Sequence, residues 1–282
     1  MRTLLSVGLI GYPVEHSLSP VFQQAAFDTL GIPARYELWP TPVEALEERF
    51  RWLRSPGVLG ANVTVPHKGA AFTRVDQVSA RAKLAGAVNT VVNRGGTLYG
   101  ENTDVAGFVA PLSERGLVLG EVAVVVLGAG GAARGVLVAL AEAGCRRVAV
   151  ANRTAERAQE LAAAFGVEAA PLDDRLEPRL AAADLLVNAT SVGWDGESLP
   201  LPVALLDALP AWAVVYDLTY RETPLLEAAR RRGLVTIDGL GMLVHQGAEA
   251  FRLWTGCEPP LEVMWRAALA ARQAREQPGQ QV

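Results

Sequence analysis

The stretch VVVLGAGGAARG, residues 124–135, limits most strongly what this chain can fold into. An apolar run precedes Gly128 and a helical pattern follows Gly130, so the glycines and Ala133 fit the G-x-G-x-x-G/A fingerprint of a dinucleotide-binding strand–turn–helix unit. The first glycine turns the chain, the second lets the backbone approach a pyrophosphate, and the small third residue lets the helix pack on the strand. The N–H groups at the helix start then hold the anion. The alternative is a glycine-rich turn without a ligand. The expected cofactor contacts in this turn are Gly128, Ala129, Gly130, Gly131 and Ala132.

The next strand of this unit predicts which dinucleotide binds. NAD enzymes usually place an Asp or Glu at the end of that strand to bind the ribose diol. The segment VAVANRTAER, residues 148–157, has no acidic residue there. Asn152, Arg153 and Thr154 can instead surround a 2′-phosphate, with Arg157 one helical turn further on, and the guanidinium fork suits a phosphate group. A helix cap at Thr154 beside ordinary surface arginines is the alternative, and we expect NADP.

Strand-like and helical patterns alternate along the chain, which is typical of an α/β protein. From residue 103 the alternation predicts a doubly wound, Rossmann-type NADP-binding domain. The first hundred residues predict an α/β domain with a mixed sheet that includes a hairpin around Gly95-Gly96. The last forty residues are helical without a strand of their own, so they should pack back on the first domain. The predicted divisions are a substrate-binding and catalytic domain at 1–102, a Rossmann domain at 103–238 and C-terminal helices at 239–282.

Charge and cysteine usage exclude several classes of protein. The net charge of −4 comes without a long basic block, so neither nucleic acid nor an anionic membrane surface is an expected partner. The long apolar stretch at 122–144 is divided by glycines and Arg134, so we do not expect it to be a transmembrane helix. The apolar residues near the start are more typical of a buried strand than of a signal peptide. The two cysteines lie far apart, as expected of thiols in a reducing cytosol. We expect a soluble, cytoplasmic protein.

Lys68 is one of only two lysines among 26 basic residues, and it lies in a stretch with no other formal charge. Several polar residues occur in short motifs on both sides of Lys68 in the sequence. Each alone is more typical of a structural role, but together with Lys68 they predict a ligand site in the first domain. These residues come from the segments HSLSP, NVTVPHK, GAVNT and ENTD and include Ser17, Ser19, Asn89, Asn102, Thr103 and Asp104. The three histidines beside these segments have neither metal-ligand spacing nor a carboxylate or thiol cluster, so we expect no metal.

The order of these motifs resembles that of shikimate dehydrogenase. The motifs that carry the resemblance cover nearly the whole chain and are GYPVEHSLSP, NVTVPHK, LAGAVNT, GENTD, GAGGAAR, NRT, NATSVG and GLGMLVHQGAEAF. The resemblance implies a two-domain fold and the reversible NADP-linked oxidation of shikimate to 3-dehydroshikimate, on the route to chorismate and the aromatic amino acids. A homodimer is also expected.

The resemblance also implies roles for individual residues. Lys68 should be the catalytic acid/base, paired with Asp104. Tyr220 lies in YRETP, which lacks the first proline usual in this segment of the family. The residues expected to bind shikimate are Ser17, Ser19, Thr64, Asn89, Asp104, Tyr220 and Gln246. Those expected beside the nicotinamide are Leu218, Gly239 and Met242.

The chemistry of the reaction explains why position 68 is a lysine. When hydride leaves the substrate carbon, the hydroxyl group must lose its proton, and arginine stays protonated at any useful pH. Three alternatives remain at the level of sequence: a relative that oxidises quinate or prefers NAD, a methylenetetrahydrofolate dehydrogenase, and a dinucleotide-sensing regulator without turnover. Intact Ser17 and Ser19 and the basic NRT segment argue against the first, and a regulator would not need the Lys68–Asp104 pair.

Overall fold

The computed structural model describes residues 4–276, which form two compact units. The first unit contains the described residues up to Gly107 and those from Leu243 onward, and the second contains Phe108–Met242. The strands are β1 (Leu5–Gly11), β2 (Ala34–Pro40), β3 (Val58–Val63), β4 (Gln77–Val78), β5 (Thr90–Arg94), β6 (Thr97–Glu101), β7 (Ala123–Leu127), β8 (Arg147–Ala151), β9 (Glu168–Ala170), β10 (Leu185–Asn188), β11 (Val214–Asp217) and β12 (Val235–Ile237).

Eleven α-helices are seen in the described residues. They are α1 (Ser19–Thr29), α2 (Leu46–Trp52), α3 (Lys68–Phe72), α4 (Ala80–Ala85), α5 (Asp104–Ser113), α6 (Gly131–Glu142), α7 (Ala155–Phe165), α8 (Glu177–Ala181), α9 (Pro224–Arg231), α10 (Leu240–Thr255) and α11 (Leu261–Glu276). Short 3-10 helices cover Val43–Ala45, Asp174–Leu176 and Val203–Ala208. None of the helices in residues 4–276 combines the length and hydropathy that crossing a membrane requires.

The first unit is built on a six-stranded mixed sheet, as predicted. Its strand order is β2-β1-β3-β5-β6-β4. The pairs on either side of β1 are parallel, whereas β5 runs antiparallel to both β3 and β6. Because β1 and β3 are parallel neighbours, the segments that follow them, residues 12–18 and 64–67, emerge at the same edge of the sheet.

From Leu243 onward the C-terminal helices belong to the first unit, which confirms the expectation that they pack back on it. The rings of Phe27 on α1 and Phe251 on α10 lie 4.8 Å apart. The buried amide of Gln23 donates from Nε2 to the Gly247 carbonyl at 2.8 Å. Trp254 on α10 donates from its indole nitrogen to the Val91 carbonyl on β5 at 2.9 Å. These contacts bring α10, and with it Gln246, against the strands that carry the other polar residues.

The second unit is a doubly wound sheet, as predicted. All its pairs are parallel, in the order β12-β11-β10-β7-β8-β9. The chain order reverses between β7 and β10, and ligands of such sheets bind outside the carboxyl ends of the strands at this reversal. The central strands β7, β10 and β11 are buried along their whole length, which explains the apolar runs in the sequence.

One predicted helix differs in the structure. The pattern of 77–84 predicts a helix, but Gln77 and Val78 pair with β6 as strand β4, and α4 begins only at Ala80. The Ser79 hydroxyl accepts a hydrogen bond from the Ala82 N–H and so caps α4, which fixes where this helix begins. The hairpin predicted around Gly95-Gly96 is present as β5 and β6.

Candidate active site

Lys68 and Asp104 form an ion pair inside the first unit. Lys68 begins α3 just after β3, and Asp104 begins α5 just after β6. The Lys68 Nζ atom donates to Asp104 Oδ2 at 2.7 Å, and the two side chains are 23% and 7% exposed. The ammonium group is therefore held by a largely buried carboxylate and still reaches solvent. This is the arrangement that a group exchanging a proton with a bound ligand needs.

Amide and hydroxyl groups complete the surroundings of Asp104. Asn89 Nδ2 donates to the second carboxylate oxygen, Oδ1, at 2.8 Å. The Thr103 backbone N–H donates to Asn89 Oδ1 at 2.7 Å, which fixes the orientation of that amide. Gln246 brings its Oε1 atom to 3.5 Å from both Asn89 Nδ2 and Thr103 Oγ1. The structure thus brings together four of the predicted site residues, Lys68, Asn89, Asp104 and Gln246.

Ser17, Ser19 and Thr64 lie at the same edge of the sheet as this cluster. Ser17 and Ser19 follow β1, and the Ser17 hydroxyl accepts a hydrogen bond from the Ser19 N–H at 3.1 Å. The Ser17 hydroxyl therefore supports the backbone just before α1, although no side chain caps this helix. Thr64 follows β3, where its carbonyl accepts from the His67 N–H at 2.9 Å. Ser19 is buried, whereas Ser17 and Thr64 are partly exposed.

His67 has a structural role beside the catalytic candidate. Its ring is buried, and Nε2 donates to the Thr41 carbonyl at 2.6 Å. This bond anchors the residue immediately before Lys68 and so fixes the start of α3. Among residues 4–276, no three His, Cys, Asp or Glu side chains are grouped as ligands of a metal ion would be.

Sequence reasoning missed three polar residues behind the site. Tyr36 on β2, Asn62 on β3 and Thr90 on β5 are buried and hydrogen-bonded to one another in series. Asn62 and Thr90 are neighbours across the antiparallel β3–β5 pair. The available signal was the interruption of buried, apolar strands by an amide in GANVTV and by a hydroxyl in AVNT.

The glycine-rich turn in the second unit follows β7 at the strand-order reversal. Gly128 adopts φ +111°, and a Cβ atom there would lie 2.9 Å from Thr190 Cγ2, so the turn itself requires glycine. Gly130 and Gly131 have no other atom within 4 Å of a Cβ position, which leaves open space at the start of α6. Ala133 is buried where the helix packs on the sheet. The first N–H groups of α6 have no intrahelical acceptor, so this turn fits a bound pyrophosphate.

The predicted phosphate-binding residues follow β8, the strand next to β7. Arg153, Thr154 and Arg157 are exposed, and neither arginine forms an ion pair with another residue of the described chain. Thr154 precedes α7, but its side chain makes no capping hydrogen bond. The Asn152 amide donates to the Thr154 carbonyl at 3.0 Å. The structural alternative of a helix cap at Thr154 therefore loses its main support.

Two buried polar residues at the ends of β10 and β11 shape the loops around the turn. Asn188 Oδ1 accepts from the Thr190 N–H and hydroxyl at 3.1 and 2.7 Å, which places Thr190 against Gly128. Asp217 accepts from the Thr219 N–H at 3.0 Å and the Thr223 hydroxyl at 2.8 Å. Burial raises the pKa of Asp217 above its ordinary value, and these hydrogen bonds act in the opposite direction.

The residues expected beside the nicotinamide lie in the second unit after β11 and β12. The Leu218 N–H donates to the Asn188 carbonyl at 3.0 Å, and the Gly239 N–H donates to the Thr219 carbonyl at 3.0 Å. A Cβ atom at Gly239 would lie 2.0 Å from the Leu218 carbonyl oxygen, so these two loops touch through their backbones. Met242 lies in the first turn of α10. Tyr220 contacts the ring of Trp194 edge-on, with centroids 5.1 Å apart.

Three family profiles match the chain. The profile of the shikimate dehydrogenase substrate binding domain matches residues 9–91. The profile of shikimate / quinate 5-dehydrogenase matches residues 113–193. The profile of the shikimate 5′-dehydrogenase C-terminal domain matches residues 239–269. Most of the chain is thus covered by three consecutive profiles of one family.

Known proteins are similar to the chain over nearly their whole length. Shikimate dehydrogenase (NADP(+)) of Symbiobacterium thermophilum is 44% identical over 275 residues, which cover 94% of each chain. The enzyme of the same name from Methylobacterium radiotolerans is 49% identical over 259 residues, or 89% of this chain and 91% of the relative. A crystal structure of shikimate 5-dehydrogenase from Thermus thermophilus in complex with NADP(H) and shikimate matches with a TM-score of 0.87 and 45% identity, covering 95% of this chain and 99% of that one.

Proposed function

The chain belongs to the shikimate dehydrogenase family, and we propose that Lys68, paired with Asp104, carries the proton transfer of its reaction. That reaction is the reversible NADPH-dependent reduction of 3-dehydroshikimate to shikimate, in the shikimate pathway to chorismate and the aromatic amino acids. The chain is therefore an NADP-dependent oxidoreductase. The observation that carries the proposal is the 2.7 Å contact between Lys68 Nζ and Asp104 Oδ2.

The proton balance of the reaction assigns different tasks to the two residues. NADPH, when bound, supplies the hydride that reduces the ketone carbon. The ketone oxygen must gain a proton at the same time, and Lys68 donates it from Nζ. In the opposite direction Lys68 accepts the proton of the substrate hydroxyl group. Asp104 holds the ammonium group in place, and Asn89 holds Asp104 from the other side.

The substrate is held by the polar residues around this pair. The positions of these residues support the assignment. Ser17, Ser19 and Thr64 follow two neighbouring parallel strands. Asn89 contacts Asp104, and Gln246 contacts Thr103, the residue before Asp104. Hydroxyl and amide groups suit a substrate with several hydroxyl groups and a carboxylate. The proposed substrate contacts in the first unit are Ser17, Ser19, Thr64, Asn89, Asp104 and Gln246, and the family resemblance adds Tyr220, which lies in the second unit.

NADP is the cofactor, and its proposed contacts lie in the second unit. The open space at Gly130 and Gly131 and the start of α6 fit the pyrophosphate, and the exposed arginines after β8 fit the 2′-phosphate. The proposed contacts are Gly128, Ala129, Gly130, Gly131, Ala132, Asn152, Arg153, Thr154, Arg157, Leu218, Gly239 and Met242. No residue is proposed as a metal ligand.

The proposed functional division of the chain follows these contacts. Residues 1–102 carry most of the proposed substrate contacts, and residues 103–238 carry most of the proposed cofactor contacts. Residues 239–282 add Gln246 to the first set and Gly239 and Met242 to the second. Residues 1–3 and 277–282 lie outside the described part of the chain. We further propose a cytoplasmic homodimer. Cys145 and Cys257 form no disulfide, as suits a reducing compartment, and exposed Leu4 and Val21 line a groove between α1 and the edge strand β2 that a second copy could cover.

Replacing Lys68 tests the proposal. In Lys68→Ala we expect turnover to fall at least about 100-fold, since general acid–base catalysis contributes about that much or more, with little change in NADP affinity. Lys68→Arg should also be slow, because a guanidinium keeps the charge but does not release its proton. The measurement is the steady-state absorbance of NADPH with shikimate or 3-dehydroshikimate.

The chain contains a matched control, since Lys83 is its only other lysine and is exposed on α4. Lys83→Ala should retain the turnover of the unmodified enzyme. Near-normal turnover in Lys68→Ala would remove Lys68 from the mechanism. Restored turnover in Lys68→Arg would mean that the residue acts only through its charge.

A further inference from the structure

Arg275, near the end of α11, contacts the backbone of the loop that carries Ser17. Its Nη1 atom donates to the His16 carbonyl at 2.5 Å, and its Nη2 atom donates to the Ser17 carbonyl at 3.1 Å. The two carbonyls belong to consecutive residues, and the planar guanidinium group presents its donors side by side, as such a pair requires. One side chain from the last helix therefore holds two peptide groups of the loop between β1 and α1.

The bonds from Arg275 lie at the end of this loop that carries the proposed substrate contact. At the start of the loop, the Tyr12 N–H donates to the Val65 carbonyl at 3.1 Å. In the middle, the Ser17 N–H donates back to the Val14 carbonyl at 2.9 Å, which fixes the local turn. The two bonds from Arg275 add a connection between the end of the loop and α11. The position of Ser17 thus depends on a helix that is distant in the sequence.

The position of Arg275 on α11 explains how it reaches the loop. Met264 and Ala268 are fully buried, and Arg275 follows them at the helical period, so all three residues lie on one face of the helix. The helix packs against α1, which begins directly after the loop. An arginine therefore stands at the end of a buried stripe, where packing alone would favour an apolar residue.

The charge of Arg275 is not engaged elsewhere in the described chain. Among residues 4–276, Arg275 forms no ion pair with a carboxylate. Hydrogen bonds with a charged donor are stronger than those between neutral groups, and arginine keeps its proton at any useful pH. The side chain is exposed, so water competes for its donors. Its two bonds should therefore have a moderate effect on the loop.

We propose that Arg275 is a positioning residue for substrate binding, which holds the backbone of the β1–α1 loop so that the Ser17 hydroxyl keeps its place in the site. The inference rests on the proposed function, in which Ser17 contacts shikimate. Arg275 acts through Ser17 and takes no part in proton transfer, which belongs to Lys68 and Asp104. Its loss should therefore weaken the binding of shikimate and leave the chemical step intact.

The test is Arg275→Ala, which removes both bonds to the loop. We expect KM for shikimate, and its Kd measured by titration calorimetry, to rise about 3- to 10-fold, as suits the loss of exposed hydrogen bonds with a charged donor. The kcat value, its pH profile and KM for NADP should stay within about twofold. Arg266→Ala is the matched control, because Arg266 is also exposed on α11 but lies on its opposite face, and it should change none of these values. Equal increases in KM for the two variants would show that only the lost positive charge matters, and would overturn the proposal.

A second variant separates binding from stability. Met264→Ala removes a fully buried side chain from the same helix and should lower the unfolding midpoint. Measured well below that midpoint, its KM for shikimate should stay normal, because Arg275 still holds the loop. Arg275→Ala should do the reverse, with a nearly unchanged midpoint and a raised KM, since exposed substitutions alter stability little. If KM rose in both variants in step with the lost stability, Arg275 would only anchor the end of α11.

A double-mutant cycle with Ser17→Ala completes the test. If Arg275 acts through Ser17, then Arg275→Ala should add little to KM in a Ser17→Ala background. Increases that multiply independently would overturn the proposal, as would a lower kcat at unchanged KM. A normal KM in Ser17→Ala would also overturn it, because Arg275 would then have no substrate contact to position. An unmodified enzyme without shikimate-dependent turnover would contradict the proposed function instead, and the calorimetric Kd would still test Arg275.

Discussion

Arg153 is the single residue on which we expect the choice between NADP and NAD to depend. It is exposed after β8 and forms no ion pair with a carboxylate of the described chain, so its guanidinium group is available to a 2′-phosphate. In Arg153→Ala we expect NADP affinity to fall about 10- to 150-fold, because charge-assisted hydrogen bonds contribute about 1.5–3 kcal/mol. Affinity for NAD, which lacks that phosphate, should hardly change. Binding titrations with both dinucleotides measure the difference.

Arg157 lies on the next turn of α7, so a double variant should lose more NADP affinity than either single variant. Arg175→Ala is a suitable control, since this exposed arginine of the same unit is paired with Asp173. Equal losses for NADP and NAD in Arg153→Ala would show that Arg153 supports the fold and not the selectivity.

Asp217 should make the stability of the second unit depend on pH, and the direction of the raised pKa fixes the sign of this dependence. Its pKa is raised by burial, so the native state binds the proton more readily than the unfolded chain does. The resulting stability is fully present below the ordinary Asp pKa of about 3.9 and is lost as pH rises through the raised native value.

The variant Asp217→Asn cannot titrate, which makes the prediction measurable. We expect the unfolding midpoint of the unmodified protein, relative to that of Asp217→Asn, to fall as pH increases from about 4 towards neutrality. Thermal unfolding of both proteins over this range gives the difference directly, because other carboxylates titrate in both. A constant difference, or one that grows with pH, would contradict the assignment.

The sequence predicts the residues of the candidate active site better than the buried polar residues that support it from within the sheet. Lys68 and Asp104 are visible as charged residues beside strand ends, and their pairing follows from the family resemblance. Tyr36, Asn62 and Thr90 are not visible in this way. Side chains of these types occur in strands for many reasons, and only the register of β1, β2, β3 and β5 shows that they meet.

At the scale of elements, the first two glycines of the β7–α6 turn serve different purposes. Gly128 has φ +111° and lies against Thr190 and Ala189, so its lack of a side chain is a requirement of the protein itself. Gly130 has φ −95° and open space around it. Its lack of a side chain serves the ligand, since the second glycine of the fingerprint is where the backbone approaches the pyrophosphate.

This difference predicts opposite results for two similar substitutions. Gly128→Ala should destabilise the second unit by about 1–3 kcal/mol, the typical cost of forcing an L-residue into a disfavoured backbone conformation. Gly130→Ala should leave the unfolding midpoint nearly unchanged and weaken NADP binding by at least about tenfold, because the added methyl group meets the pyrophosphate. Thermal unfolding without cofactor and binding titrations distinguish the two. A Gly130→Ala protein that binds NADP normally would mean that the cofactor does not approach this residue.

Sequence patterns predict the long elements of the second unit well, because its central strands are mostly apolar and its helices follow at regular intervals. The short elements of the first unit are harder to predict. Gln77 and Val78 carry a helical pattern and still form β4, because the neighbouring Asp76 N–H donates to the Leu98 carbonyl and draws the chain onto β6. A two-residue strand depends on its partner and not on its own propensity.

At the scale of the whole molecule, the fold class follows from the alternation of patterns, and the return of the C-terminal helices follows from their lack of a strand. The contacts that fix this return do not follow from either. Gln23, Phe27 and Val91 meet α10 through pairs of residues that are more than 150 positions apart in the chain. Such pairings carry no local signal, and only the packed first unit shows them.

The division of the first unit between the two ends of the chain has a consequence during biosynthesis. Proteins usually fold domain by domain from the N-terminus as the ribosome elongates them, at about 5–20 residues per second. Here the first hundred residues emerge without α10 and must wait while the whole second unit is translated. For a period on the order of ten seconds, β5 lacks Trp254 and α1 lacks Phe251, so apolar surface that the finished enzyme covers remains accessible to chaperones. The contiguous Rossmann unit is then the first part of the nascent chain able to complete its own core.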